Sequence, residues 1–221
     1  MIKVSWSHSL AYAVGLITTD GCLSKDGRHI DLTSKDLEQI NNFKKILRLK
    51  NKIGFKYPGG DRNKFCYRIQ FGDVKFYDFL LSIGLSPHKS KSLSEIVVPD
   101  KYFADFLRGY LDGDGFTYSY WDKRWKSSFM LYTGFASASK SHLEWIKSKI
   151  KHLYLIEGSI KYAGKSTYEL MYAKRSSIIL LNKIYYNDKV VCLKRKKFKI
   201  DKALGIIRNQ AGMLKLVDRH V

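Results

Sequence analysis

The chain has 221 residues, 45% of them hydrophobic and 14% aromatic, which excludes a disordered polypeptide and allows one core or two small ones. Its 40 Lys and Arg against 20 Asp and Glu give a net charge of +20, which points to a polyanionic partner, nucleic acid first. No apolar run approaches the ~20 residues of a membrane span and no lipidation signal is present, so no membrane partner is expected.

Apolar residues Leu10, Ala13, Val14 and Ile17 recur at helical spacing behind Ser7 or Ser9 as N-cap, and the helix they predict stops at Gly21, expected in a left-handed conformation. A hairpin follows over 22–24 and 28–34, then a helix over about 36–49, strands over 53–57 and 65–71, and a helix over 73–83. Residues 84–99 hold two of the three prolines and read as a helix-poor linker. A second glycine-bearing helix starts at Pro99-Asp100 and stops at Gly115, again expected to be left-handed. The same order of elements then recurs. An extra amphipathic helix is expected around 200–208, with a basic tail behind it.

That recurrence is a duplication. Ala13-Val14-Gly15-Leu16-Ile17-Thr18-Thr19-Asp20-Gly21 matches Leu107-Arg108-Gly109-Tyr110-Leu111-Asp112-Gly113-Asp114-Gly115, with Asp20 and Asp114 94 positions apart (114 − 20). Downstream, Ser34 corresponds to Ser139 and Tyr57 to Tyr162 at an offset of 105, and Tyr67 to Tyr168 at 101. The length changes fall at turn tips, where a duplicated unit tolerates them. The chain therefore divides into a first half (1–83), a linker (84–99), a second half (100–197) and a C-terminal helix and tail (198–221).

Both aspartates fall at helix C-terminal ends, where the macrodipole disfavours negative charge. If Gly15 and Gly109 let the two helices pack closely, the carboxylates converge, and two charges about 6 Å apart at an effective dielectric of about 20 repel by roughly 3 kcal/mol. A divalent cation between them turns that repulsion into a binding site. Asp112-Gly113-Asp114-Gly115 is not a calcium loop, because Phe116, Thr117 and Lys123 stand where such a loop needs a ligand, a glycine and a glutamate.

The repeated stretch resembles the LAGLIDADG signature of the homing endonucleases in their single-chain, two-motif form, across roughly residues 5–200. The second copy follows the pattern well; the first carries Thr18-Thr19 where the family usually has an acidic and then a small residue, and both keep Asp-Gly. The resemblance implies an α+β fold of two pseudo-twofold αββαββα units, with the motif helices at the interface and two antiparallel sheets forming a DNA-binding saddle. It implies a monomer that hydrolyses both strands of a long, non-palindromic double-stranded DNA target, with Asp20, Asp114 and the carbonyls of Thr19 and Gly113 holding Mg2+ or Mn2+, and Ca2+ as a non-cleaving substitute. Magnesium suits an all-oxygen site and keeps several waters. A lysine near each scissile phosphate is also implied: Lys89 in the first half and Lys196 in the second, with Lys194 and Arg195 as rivals. Ser34 and Ser139 stand where the family often orders water, yet both also fit as N-caps. Asp112, without a counterpart in the first half, is read as structural.

Alternation in Tyr67-Arg68-Ile69-Gln70-Phe71 puts Arg68 and Gln70 on a polar face able to reach base edges, and the matching positions in the second half are Glu169 and Met171. Arg28, His29, Asp31, Thr33, Lys56, Arg62 and Lys64 join them in the first wing, and Lys123, Arg124, Lys126, Lys161 and Lys165 in the second, each equally open to a solvated surface role. The basic runs at 44–45, 89–91 and 194–197 are assigned to phosphates first. The aromatic hairpin from Tyr118 to Trp125 either stacks beneath DNA or contributes Trp125 to the core. The three cysteines, Cys22, Cys66 and Cys192, are widely spaced, and residues 10–17 lack the flanks of a secretory signal, so an intracellular protein of the cytoplasm, nucleoid or organelle matrix is expected. An intron RNA maturase or a non-cleaving DNA-binding protein on the same fold is the alternative, with intron RNA as its partner. Retention of both aspartates favours the enzyme.

Overall fold

The computed structural model describes residues 2–57 and 64–217, the side chains of 211–217 excepted. The proposed base-contacting Arg62 lies outside the described residues. The first half runs α1 (His8–Asp20), β1 (Gly21–Leu23), β2 (His29–Ser34), α2 (Leu37–Ile46), β3 (Ile53–Lys56), β4 (Cys66–Gly72) and α3 (Val74–Ser82). A 3-10 turn over Asp100–Tyr102 leads into the second: α4 (Phe103–Asp112), β5 (Gly115–Trp121), β6 (Phe129–Ser137), α5 (Lys140–Tyr154), β7 (Ser159–Gly164), β8 (Thr167–Tyr172) and α6 (Lys174–Ile184). The fold is α+β, and the two antiparallel sheets share one topology, β1-β2-β4-β3 and β5-β6-β8-β7.

Helix α1 begins where the Ser7 side chain accepts from the Leu10 amide at 3.1 Å. Every residue from Leu10 to Thr18 is buried, and so is every residue of α4 from Asp105 to Asp112. A helix buried on all sides has a neighbour on each side. For these two, one side is the sheet of their own half and the other is the partner helix, so the pair forms the spine of the molecule. Helices α2 and α3 cover one face of the first sheet, α5 and α6 the matching face of the second, and the other faces stay open. Residues 84–99 contain neither helix nor strand until the 3-10 turn begins. Among the described residues no helix is long and apolar enough to cross a membrane, and Cys22, Cys66 and Cys192 are free.

Three expectations are corrected. Gly21 is extended (φ −88°, ψ 152°) and Gly115 has no positive φ, so neither is a left-handed stop; a Cβ would lie 2.6 Å from Ile17 Cα at the first and 2.4 Å from Leu111 Cα at the second. Space, not handedness, selects glycine there. The C-terminal helix α7 (Lys194–Val217) takes in the basic run, because Ile200, Ala203 and Leu204 at helical spacing bury against the core and the helix extends upstream from them. Finally, the cap of α2 is Asp36, not Ser34, whose hydroxyl instead accepts from the Asp36 amide at 3.1 Å.

Candidate active site and nucleic-acid interface

The spine is backbone against backbone. A Cβ on Gly15 would come within 2.2 Å of the Phe106 carbonyl oxygen, and one on Gly109 within 2.1 Å of that of Tyr12. Lower down, a Cβ on Gly113 would sit 2.0 Å from Thr19 Oγ1 and 3.0 Å from Asp20 Oδ2, so the end of α1 rests on the turn that carries Asp114. Thr18 and Thr19, which depart from the motif, fit because their hydroxyls donate to carbonyls of their own helix, Val14 at 2.8 Å and Leu16 at 3.0 Å.

Asp20 is the last residue of α1, whereas Asp114 lies two residues beyond the end of α4. Burial and then the charge of Asp114 push Asp20 up to about 6, against the pull of Gln39, Lys196 and Lys89. Gln39 Nε2 donates to Asp20 Oδ2 at 2.7 Å and its Oε1 accepts from Ser34 at 3.2 Å, a relay that fixes the carboxylate from behind. Asp114 is also raised by burial and pulled down by Lys196 and Lys89. Two carboxylates desolvated in this way gain from any cation placed between them.

Both lysines belong to the same cluster. Lys89, buried in the linker, donates to the Gly21 carbonyl. Lys196, in the first turn of α7, donates to the carbonyls of Leu111 at 2.7 Å, Gly113 at 3.0 Å and Gly115 at 2.8 Å. Gly21 and Gly115 are equivalent in the two motifs, so the lysines take matching positions although they come from segments with no sequence repeat. Burial lowers both ammonium pKa values, and the aspartates oppose that shift. The rivals of Lys196 are turned away: Arg195 forks onto Asp36 at 2.8 and 2.6 Å, and the Lys194 side chain is exposed. Lys197 pairs with Asp201, so of the run assigned to phosphates Lys196 is spent on carbonyls and Arg195 and Lys197 on carboxylates.

Asp112 is outside this cluster. Its Oδ2 accepts from Tyr12 OH and the Leu193 amide, both at 2.7 Å, its Oδ1 has no partner, and burial pushes it up to about 6. Ser139 caps α5 and also donates to the Leu93 carbonyl. Gln39 and Tyr12 are the residues that sequence reasoning missed. Both lie outside the nine-residue motif: Gln39 reads as a solvent-facing polar residue of α2, and Tyr12 as one more ring in the buried run of α1.

The open face of the first sheet carries His29, Asp31, Thr33, Lys56, Arg68 and Gln70. Arg68 is clamped by Asp31 at 2.5 and 2.6 Å, and His29 by Asp26 at 2.5 Å. Arg28 lies beside Gly72, at the end of β4, and Lys64 just before β4 begins. On the second sheet Glu169 and Met171 share the open face with Lys161, which pairs with Glu169 at 3.1 Å. Lys123, Arg124 and Lys126 lie on the β5–β6 loop and Lys165 on the β7–β8 turn. Trp125 is 70% exposed, which removes its alternative role in the core.

A duplicated α+β unit, joined through glycine-packed helices with an aspartate at or just beyond the end of each, defines the two-motif LAGLIDADG fold, and the chain adopts it. No family model and no curated protein matches the sequence. Solved structures match its fold. The homing endonuclease I-WcaI bound to its DNA recognition sequence is similar with a TM-score of 0.63 at 14% identity, over 88% of this chain and 88% of that one. I-DmoI in complex with DNA and Mn gives 0.54 at 18%, over 84% and 99%. The N-terminal LAGLIDADG domain of DUF199/WhiA, not named as a nuclease, gives 0.55 at 15%, over 90% and 88%.

Proposed function

We propose that the chain is a site-specific homing endonuclease that uses a divalent cation to hydrolyse both strands of a long, non-palindromic DNA duplex. The observation that carries this is the cluster of Asp20, Asp114, Lys89 and Lys196 where the motif helices meet, with an open sheet face extending from each side of it. A binding module gains nothing from two mutually repelling carboxylates held together at the end of the spine, Asp20 half-buried and Asp114 exposed.

The donor set suits magnesium or manganese: two carboxylates and the carbonyls of Thr19 and Gly113, all oxygen, the Gly113 carbonyl also accepting from Lys196 at 3.0 Å. When bound, such an ion supplies charge neutralisation at the phosphate and an acidified water. Gln39 holds Asp20 in place, and Lys89 and Lys196 set positive charge beside the two scissile phosphates. Phosphate contacts come from the loop lysines and arginines, so affinity falls steeply with salt.

Selection of cleaved duplexes from a randomised library in Mg2+ tests the activity. Asp20→Asn and Asp114→Asn should each abolish cleavage while leaving affinity in Ca2+ within a few-fold. Binding without cleavage by the wild-type chain would favour the second reading, a non-cleaving DNA-binding protein, which the similarity to the WhiA domain supports.

A further inference from the structure

The two open faces differ in kind. Where the first presents Asp31, Thr33, Arg68 and Gln70, strand alternation in the second places Phe116, Tyr118, Tyr120, Met130, Tyr132 and Met171 outward, over the buried Leu131, Thr133, Leu170 and Tyr172. The rings form one stacked ladder. Tyr118 lies 5.1 Å from Tyr132 across the strands, and 6.2 and 6.3 Å from Phe116 and Tyr120 along its own, with interplanar angles of 19°, 18° and 6°. Phe116 lies flat on Gly134, where a Cβ would be 2.4 Å from its ring tip, and Tyr118 OH donates to Met171 Sδ at 3.3 Å. The ladder is thus ordered before any partner arrives, which lowers the entropy cost of binding. Yet Tyr118 and Tyr120 are 43% and 46% exposed in a chain of net charge +20. An apolar patch of this kind is kept for a contact.

The partner is constrained by what the face lacks. Strands β5 to β8 contain no Arg, Asn or Gln, the side chains that grip guanine or adenine bidentately, and the outward charges of those strands, Lys161 and Glu169, neutralise each other. The base-edge group that an apolar surface recognises in the major groove is the thymine methyl. Basic residues at the rim, Lys123, Arg124, Lys126 and Lys165, fit flanking phosphates, and Phe116 stands two residues from Asp114, so the face is continuous with the proposed cleavage centre. Resting on the DNA-binding reading above, we propose that the second wing reads its half-site through the methyl groups of a thymine-rich run, while the first wing reads mixed sequence by hydrogen bonds.

The test uses the full chain and duplexes selected for binding from a randomised library in Ca2+. One half-site should emerge T·A-rich. Replacing its thymines by uracil, which removes only the methyl, should weaken binding by about fourfold per contacted methyl, while the same exchange in the other half has little effect. Tyr120→Ser, at a half-exposed position, should reduce that uracil penalty and leave preferences in the other half unchanged. Equal sensitivity in both halves, or a G·C-rich half-site whose preference Tyr120→Ser alters, would overturn the proposal. So would a dimer of this chain that Tyr120→Ser dissociates, since the patch would then be a protein contact. Failure to enrich any duplex would instead refute the DNA-binding reading itself, and this inference with it.

Discussion

Gly109→Ala puts the closeness of the helix pair to a test in which the sign of the effect decides. In a helix interior, alanine is ordinarily favoured over glycine by about 0.8–1.0 kcal/mol, so without tertiary contact this change would stabilise the protein. At Gly109, however, the new methyl would lie 2.1 Å from the Tyr12 carbonyl oxygen and 3.1 Å from the Leu16 amide nitrogen. Those atoms are backbone inside a fully buried helix, so no side-chain rotation relieves them, and α1 and α4 must part by roughly 1 Å to restore van der Waals distance. Overpacking of this kind costs about 1–3 kcal/mol, and at ~2–4 °C per kcal/mol for a chain of this size the melting temperature should fall several degrees below that of a glycine-to-alanine change made in open space. Gly205→Ala in α7 is the control, because nothing lies within 4 Å of the added methyl, and it should melt at or slightly above the wild-type temperature. Thermal unfolding followed by circular dichroism reads both. If Gly109→Ala were as stable as Gly205→Ala, the spine would not be packed as described, and the convergence of Asp20 and Asp114 would lose its basis.

The buried carboxylates predict a pH dependence. Desolvation pushes both Asp20 and Asp112 up to about 6, well above the ordinary aspartate value of 3.8, so the native state binds more protons between these values and stability falls as pH rises through that window. Asp112→Asn keeps an acceptor for Tyr12 and Leu193, and denaturant melts should show a shallower fall from pH 4 to 7; an unchanged slope would refute the burial argument. Lys196→Met removes an ammonium from three carbonyls, so single-turnover cleavage should fall by about a hundredfold or more and the melting temperature should also drop, whereas Lys194→Met should cleave normally and melt as the wild type does. Arg68→Ala should relax preference at one base pair at a cost of about 1–3 kcal/mol in competition binding. Asp31→Asn, which releases the Arg68 clamp, should shift preference at that same position; a uniform loss on all sequences would mark Arg68 as a phosphate contact.

Much of the architecture is legible in the chain because each cue has a local cause. The nine-residue repeat carries its own packing rule, glycine at every close approach, and alternation in β4 and β8 marks an inner and an outer face without reference to the rest. What escapes is set by tertiary proximity. Gln39 reads as an ordinary surface residue of α2 until the fold brings its amide to Asp20. The run at 194–197 shows four like charges, and only the packing of α7 shows that one of them points inward. Asp105 and Arg108 would be assigned to a solvent face, yet they pair at 2.6 Å inside α4, with Arg108 also donating to the carbonyls of Ile184 and Val191. Ser34 and Ser139, matched by sequence, are not equivalent in the fold: Ser34 pairs with Tyr67 as Ser137 pairs with Tyr168, and Ser139 takes the N-cap place that Asp36 holds in the first half, so the offset read from sequence is two residues too long there.

Residues 84–99 connect the halves, but they also furnish parts to both. Lys89 reaches back to Gly21, while the carbonyls of Leu93 and Ser94 receive Ser139, Ser141 and His142. Each half has therefore given up self-sufficiency to a shared strap. Splitting the chain into two separate halves would have to carry that strap along or rebuild its contacts on both sides.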